Sequence, residues 1–212
     1  MTEPDYLTEI RTAYDTVAAD YAEVLKDELD ASPIDRAVLV AFAELARGRG
    51  PVGDLGCGPG RLSGHLASLG LDVFGVDLSP RMVEVARRTH PGLRFEVGSL
   101  AALDLPDGGL GGIVAWYSII HTPPEQLPAV FTEFARVLAP GGQLVLAFQV
   151  GDEVRHLDKG YGHEISLDAY RLVPERVAEL LERHGFVVGS RLVREPERWE
   201  STSQAYLLAR KP

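Results

Sequence analysis

The chain has 212 residues, of which 45% are hydrophobic and 25% charged, so one globular domain spanning residues 1–212 can bury a sizeable core. Its 31 acidic and 21 basic residues give a net charge of −10, which argues against nucleic acid and anionic membrane surfaces as partners. The single cysteine, Cys57, excludes an internal disulfide and a cysteine-based structural zinc site.

The amino-terminal segment predicts two amphipathic helices. Apolar residues recur every three or four positions from Tyr6 to Leu29, which is the period of a helix with one buried face. Ser32 and Pro33 then provide the N-cap and the first turn of a second helix, which is expected to stop at Gly48.

After residue 50, short apolar runs alternate with helical patterns. The runs, each bounded by Gly, Pro or Asp, cover residues 51–56, 71–77, 93–98, 111–117 and 142–150. The helical patterns between them cover residues 61–70, 79–90 and 123–142. This alternation predicts an α/β fold whose parallel sheet is covered by helices on both faces.

The end of the chain follows a different pattern. A helix is predicted from Pro174 to His184, and two strand-like runs at 185–195 and 203–211 follow with no helix between them. These runs predict an antiparallel pair at an edge of the sheet. The stretch of about 25 residues at 150–173 is a candidate lid, because loops of that length in compact domains are usually functional or disordered.

The sequence GDLGCGPGR at residues 53–61 places a bare turn where the first strand meets a helix. Glycines there permit positive φ and the close approach of a ligand, and the carboxyl edge of such sheets is where ligands bind. Arg61 occupies the position of the third glycine of a dinucleotide-binding fingerprint, and no Gly-Lys-Ser/Thr follows as in a P-loop. The remaining pattern is D-x-G-x-G-x-G over Asp54, Gly56, Gly58 and Gly60.

With Asp77 ending the second strand and the turn APGG leading into the fifth, residues 35–210 resemble the class I S-adenosylmethionine (SAM)-dependent methyltransferases of the small-molecule type. The resemblance implies a Rossmann-like sheet of seven mostly parallel strands with helices on both faces, an antiparallel carboxyl-terminal pair and an amino-terminal helical cap over residues 1–34. It also implies SAM as cofactor and methyl transfer to an O, N or C atom of a small molecule, such as a secondary metabolite.

The resemblance also assigns a cofactor site. The glycine loop meets the methionine portion, Asp77 accepts hydrogen bonds from the ribose hydroxyls, and Leu78 packs on the adenine. Ser99 stands near the position where many relatives carry an acidic contact to the adenine amino group, so the backbone of Leu100 and Ala101 is an alternative contact. The candidate cofactor-binding residues are Tyr14, Tyr21, Asp54, Leu55, Gly56, Cys57, Gly58, Gly60, Arg61, Asp77, Leu78, Met82, Ser99, Leu100, Trp116 and Tyr117.

The acceptor side has two candidate regions. His121 follows the fourth strand and has a pKa range suited to a general base, with hydrogen bonding at the start of the next helix as the structural alternative. The segment after the fifth strand is a second region, with a solvated loop that carries a short strand and a helical turn as the alternative. The candidate substrate-binding residues are His121, Arg155, His156, Tyr161, His163 and Tyr170.

Other interpretations remain open at this point. A SAM-binding protein that does not methylate would carry the same motif, while a nicotinamide oxidoreductase is disfavoured by Arg61. No histidine spacing supports a metal. The amino terminus lacks a signal-peptide pattern and no stretch approaches 18 apolar residues, which predicts a cytoplasmic protein. The resemblance allows either a monomer or a homodimer. The excess of 18 Arg over 3 Lys is typical of a high-GC bacterial genome.

Overall fold

A computed structural model describes residues 4–197 and 200–212, which form six α-helices and nine β-strands. The helices are α1 (Asp5–Leu25), α2 (Pro33–Ala46), α3 (Arg61–Ser68), α4 (Pro80–Thr89), α5 (Leu127–Val137) and α6 (Pro174–Arg183). The strands are β1 (Val52–Leu55), β2 (Val73–Asp77), β3 (Arg94–Val97), β4 (Leu110–Trp116), β5 (Leu138–Gln149), β6 (Val154–Gly160), β7 (His163–Tyr170), β8 (Val187–Arg194) and β9 (Gln204–Arg210).

Seven of these strands form one sheet in the order β3-β2-β1-β4-β5-β9-β8. The first five pair in parallel, β9 pairs antiparallel with both β5 and β8, and β8 lies at the edge. The order reverses direction at β1 and β4, so the loops that follow these two strands flank the crevice where ligands bind in such sheets. The α/β fold with its antiparallel carboxyl-terminal pair is therefore confirmed.

Helices bury both faces of the sheet. One core joins α5 and α6 to residues such as Ile113, Leu146 and Phe148, and the other joins α2 and α3 to alternate residues of the same strands, such as Val114 and Val145. The strands therefore read as continuous apolar runs in the sequence. Within residues 4–197 and 200–212, no helix combines the length and apolarity needed to cross a bilayer.

Several element boundaries differ from the sequence-based expectation. The first helix ends at Leu25 rather than Leu29. Leu29 continues the apolar period because it packs into the core around α2, although it lies outside the helix. The helix predicted over 123–142 begins only at Leu127, after a 3₁₀ turn at Ile119–His121. It cannot begin at Pro123, because Pro124 disfavours helical backbone at the residue before it. The fifth strand starts at Leu138, where it pairs with Leu110 across an irregularity in register.

Residues 150–173 contain a β-hairpin separate from the main sheet. Strands β6 and β7 pair antiparallel, and the turn between them places Tyr161 at φ 53° and Gly162 at φ 87°. Two positive φ angles are the signature of the tight turn that matches strand twist. The hairpin packs against α1, and the described residues contain no helical turn in this segment. The expectation of a loop with a short strand and a helical turn is wrong in this respect.

Candidate cofactor and acceptor site

The glycine loop of residues 56–60 connects β1 to α3 at the carboxyl edge of the sheet. The Gly56 amide donates to the Val76 carbonyl over 2.7 Å, which ties the loop to β2. Gly56, Gly58 and Gly60 all have positive φ. A Cβ at Gly56 would lie only 2.2 Å from the Ser118 Cβ, so the loop after β4 can approach only because residue 56 has no side chain.

Asp77 ends β2 beside this loop. Its Oδ2 accepts a hydrogen bond from the Gly58 amide at 2.8 Å and its Oδ1 accepts one from the Ser79 amide at 2.9 Å. Burial raises the pKa of Asp77 to about 6, against the opposing effect of the two backbone hydrogen bonds. Each carboxylate oxygen retains a second lone pair, so the group can still accept from a pair of hydroxyls, as a ribose diol requires.

Asp54 lies beneath the loop, where only 1% of its surface is exposed. The Ser63 hydroxyl donates to its Oδ2 over 2.6 Å, while Oδ1 has no hydrogen-bond partner among the described residues. Burial raises the pKa of this carboxyl to about 6. The side chain is thus a buried acidic group under the loop and does not face the adjoining cleft.

A first cleft, of about 720 Å³ counted with the solvent at its mouth, opens between the glycine loop and α1. Asp77 is the only carboxylate among the described residues that line it, and the rest of its wall is mostly aromatic, aliphatic or glycine. This wall suits a ligand with a diol, a flat base and a cationic centre. The lining residues are Tyr6, Leu7, Ile10, Tyr14, Tyr21, Gly56, Gly58, Asp77, Leu78, Gly98, Ser99, Leu100, Ala101, Trp116, Tyr117, Ser118, His121, Thr122 and Val130.

Six of the predicted cofactor residues do not line this cleft, and one of them, Arg61, pairs with Glu28 instead. Leu55 is buried at the end of β1, and Asp54 is buried beneath the glycine loop. Met82 is fully buried against Val17 and Ala18 of α1. The remaining two, Cys57 and Gly60, face the core around Phe95. They shape the loop from behind, and the small Cys57 side chain fills space there.

His121 has both ring nitrogens engaged within the protein. Its Nδ1 lies 2.7 Å from the Asp168 carbonyl oxygen of the hairpin, and its Nε2 lies 2.7 Å from the Tyr14 hydroxyl. A carbonyl only accepts, so Nδ1 carries the proton and Nε2 accepts from the Tyr14 O–H. Burial lowers the pKa of His121, which favours this neutral imidazole, and raises the pKa of Tyr14.

A second, wider cleft of about 1240 Å³, again counted with its mouth, lies between α1 and the hairpin. Its wall is formed by Ala13, Tyr14, Val17, Tyr21, Leu25, Glu28, Arg61, Tyr117, Ile120, His121, Gln149, Arg155, Leu157, Gly160, Tyr161, Ile165, Leu167, Ala169, Glu200, Ser201 and Gln204. It includes the predicted Arg61, Arg155 and Tyr161. In it, Arg61 is ion-paired with Glu28 at 2.7 Å.

The two clefts share four aromatic side chains, which we call the shared wall: Tyr14, Tyr21, Tyr117 and His121. Tyr14 meets Tyr21 and His121 edge-on, with ring centroids 5.9 and 5.4 Å apart. Tyr117 follows β4 with φ 54°, an unusual backbone for a bulky residue, and such strain is retained mainly at functional sites.

Three predicted acceptor residues lie away from both clefts. His156 hydrogen-bonds the Asp168 carboxylate at 2.7 Å on the exposed side of the hairpin. His163 pairs with Asp20 of α1 at 2.7 Å. Tyr170 packs at the edge of the main core. The first two stabilise the hairpin and its attachment to α1.

Sequence reasoning missed part of the first cleft. Tyr6, Leu7 and Ile10 line it from the first turns of α1, and Ser118, Thr122 and Val130 line it from the segment after β4. The periodic pattern gives the apolar face of α1 but not the cavity under that face. Ser118 carries a weak signal, because it directly follows Trp116 and Tyr117 at the end of a buried strand.

Comparison with known proteins agrees with this geometry. Residues 52–142 match the family model described as a methyltransferase domain. An uncharacterized methyltransferase of Mycobacterium bovis is 35% identical over 118 residues, covering 52% of this chain and 46% of that protein. The chain spans about half the length of the curated relatives it matches.

Two solved structures share the fold. The magnesium protoporphyrin IX methyltransferase of Synechocystis, with bound SAM, superposes with a TM-score of 0.75 at 20% identity and full coverage of both chains. The 1,6-didemethyltoxoflavin N1-methyltransferase of Burkholderia thailandensis gives a TM-score of 0.73 at 20% identity, covering 100% of this chain and 91% of that one. The family match over residues 52–142 identifies a methyltransferase domain in this chain, and the glycine loop and strand order agree with the fold of these solved methyltransferases.

Proposed function

We propose that this chain transfers the methyl group of SAM to an O, N or C atom of a small-molecule acceptor. The observation that carries the proposal is the shared wall. The first cleft, which suits the cofactor, and the wider second cleft are lined by the same four aromatic side chains. Methyl transfer is an in-line displacement, so it needs two ligands that approach one another end to end in a site that excludes water.

Different residues of the first cleft would bind different parts of the cofactor. Bound SAM supplies an electrophilic methyl group on a sulfonium. Asp77 would accept from the ribose hydroxyls, Leu78 and Leu100 would pack on the base, and Gly56 and Gly58 would leave the backbone bare for the methionine portion. The shared wall would present aromatic faces to the cationic centre.

Tyr14 and His121 supply a route for a proton from an O–H or N–H acceptor. The acceptor's proton would move to the Tyr14 oxygen while the Tyr14 proton moves to His121 Nε2, and the Asp168 carbonyl would stabilise the resulting imidazolium. A carbon nucleophile that is already activated needs no such transfer. His121 is thus a proposed base that acts through Tyr14.

Calorimetric titration with S-adenosylhomocysteine (SAH), with NAD as the control, tests the cofactor assignment. We expect micromolar binding of SAH and none of NAD, because Arg61 replaces the third glycine of the dinucleotide fingerprint. Binding of NAD alone would overturn the assignment.

Turnover of SAM to SAH against a library of small acceptors then tests transfer. The proposal is supported if SAH forms in the presence of any acceptor and the methylated product is detected by mass spectrometry. If SAH binds tightly but no acceptor is methylated, the chain is better described as a SAM-binding protein that does not methylate.

A further inference from the structure

The second cleft has an apolar body and a polar rim. Its body consists of the inner face of the hairpin, with Leu157, Ile165 and Leu167, and the facing side of α1, with Val17 and Leu25. The rim at the far side from α1 contains Arg155, Ser201 and Glu200. An acceptor that fills this cleft would place an apolar portion between α1 and the hairpin.

One guanidinium at the rim, that of Arg155, has no carboxylate partner among the described residues. Arg194 binds Glu200 through two nitrogens, the longer contact being 2.7 Å, and Arg171 pairs with Glu153. Arg155 makes no ion pair with any described residue. Arg155 is therefore a cation at the mouth of the cleft that no described carboxylate contacts.

Ser201 adds a donor to that site. Its Oγ accepts from Arg171 Nη2 at 2.7 Å and from Arg155 Nη1 at 3.2 Å. A hydroxyl has two lone pairs and one hydrogen, so both acceptor positions are in use and its O–H points away from the two arginines. Within residues 4–197 and 200–212 that O–H has no acceptor. The remaining Arg155 N–H groups and the Ser201 O–H are thus donors available to a ligand at the rim.

We propose that the second cleft selects acceptors that carry a carboxylate, bound by Arg155 and the Ser201 hydroxyl at the rim, with an apolar body that extends toward the shared wall. A carboxylate matches the charge of the one unpaired guanidinium, whereas a phosphate dianion would bring a second negative charge close to Glu153 and Glu200. The inference rests on the proposed function, because it assumes that the second cleft holds the methyl acceptor.

Binding of model compounds to the SAH-saturated protein tests this, and the natural acceptor need not be identified. The probes are hydroxyaryl carboxylic acids of one and two rings, their primary amides and the corresponding aryl phosphates, titrated calorimetrically. For the best acid we expect at least about ten-fold tighter binding than for its amide or phosphate. Arg155→Gln should abolish this preference, and Arg155→Lys should retain part of it. Arg88→Gln, which removes an equal charge from a residue of α4 that lines neither cleft, should leave it unchanged.

The outcomes separate the two proposals. Failure of SAH to bind contradicts the proposed function, and it is measured before any acid is added. With SAH bound, the present inference is overturned if no acid binds, if acids bind no better than amides, if phosphates bind better than acids, or if Arg155→Gln retains the preference. Because Arg155 is exposed on the hairpin, a thermal melt of each variant separates loss of recognition from loss of fold.

Discussion

Gly56 is the residue at which the two loops of the crevice come closest. Gly56→Ala should destabilise the protein and weaken SAH binding, because the new Cβ meets Ser118 at 2.2 Å and must also adopt φ +78°. Gly162→Ala is the matched control, since it has φ +87° but no neighbour within 4 Å, and should cost only the strain of about 1–2 kcal/mol. Chemical denaturation of both variants measures the difference.

Partial rescue makes the Gly56 prediction sharper. Adding Ser118→Gly to Gly56→Ala removes the Ser118 Cβ with which the new side chain clashes, and should restore part of the lost stability. Equal destabilisation by Gly56→Ala and Gly162→Ala would contradict the steric explanation.

Asp77 is the residue to which the proposed function gives the clearest single role in cofactor binding. Asp77→Ala should weaken SAH binding by about 1–3 kcal/mol, because the ribose hydroxyls lose their acceptor. Asp72→Asn, an exposed carboxylate just before the same strand, should leave the affinity unchanged. Calorimetry with both variants checks this, and an unaltered Asp77→Ala affinity would refute the ribose contact.

Asp54 makes stability depend on pH in a predictable direction. Its pKa is raised from 3.8 to about 6 in the folded protein. Between these two values of pH, the native state therefore holds a proton that the unfolded chain has released. Its contribution is therefore fully present below pH 4 and is lost as the pH rises through 6. The free energy of unfolding of the wild type should fall relative to Asp54→Asn between pH 4 and 7, by on the order of 2–3 kcal/mol. Urea unfolding at both pH values measures this, and parallel curves would contradict it.

At the scale of elements, the hairpin holds α1 in place over the first cleft. Tyr161 contacts Tyr21 with ring centroids 4.9 Å apart, and Ile165 packs near Val17. Tyr161→Asn keeps a residue that tolerates positive φ but removes the ring, and should speed amide exchange of residues 14–21 about three- to ten-fold. Val154→Ala, at an exposed position of the same hairpin, should not. Hydrogen exchange by mass spectrometry tests whether the hairpin supports α1.

The elements of the main sheet follow from the sequence because their physics is local. Apolar runs bounded by Gly, Pro or Asp predict its strands, and Ser79 caps α4 through its bond to the Met82 amide, as Ser-Pro starts predict. The hairpin was missed as an element because β6 and β7 are mostly polar and lie outside the sheet. The alternation in HEISLDAY and the Tyr-Gly turn were the available signals.

The candidate site was predictable where it depends on chain position and not where it depends on tertiary contact. Asp77 and the glycines lie at strand ends, which the topology brings to one edge. The bond between Tyr14 and His121 joins residues 107 positions apart, and no periodic pattern encodes it. His156 has suitable chemistry but sits on the outer side of the hairpin, and His163 bonds Asp20 of α1. The strand register that decides these positions was not visible in a segment interpreted as a loop.

At the scale of the whole molecule, the net charge of −10 is expected to exclude polyanions. The protein should show no binding to duplex DNA or tRNA in an electrophoretic assay at about 50 mM salt, since nonspecific binding requires several basic groups on phosphates. The single unpaired Arg155 at the rim is too small a positive site to change this. A salt-sensitive complex with either nucleic acid would contradict the prediction.

The shared wall also has a consequence for the order of events in a catalytic cycle. Because Tyr14 and Tyr21 belong to both clefts, α1 is a partition, and any displacement of it that frees one ligand opens the chamber of the other. Release of the demethylated cofactor and release of the methylated product would then require the same displacement of α1. A product that remains bound in the second cleft would hold α1 in place and so slow cofactor exchange, although it makes no contact with the cofactor.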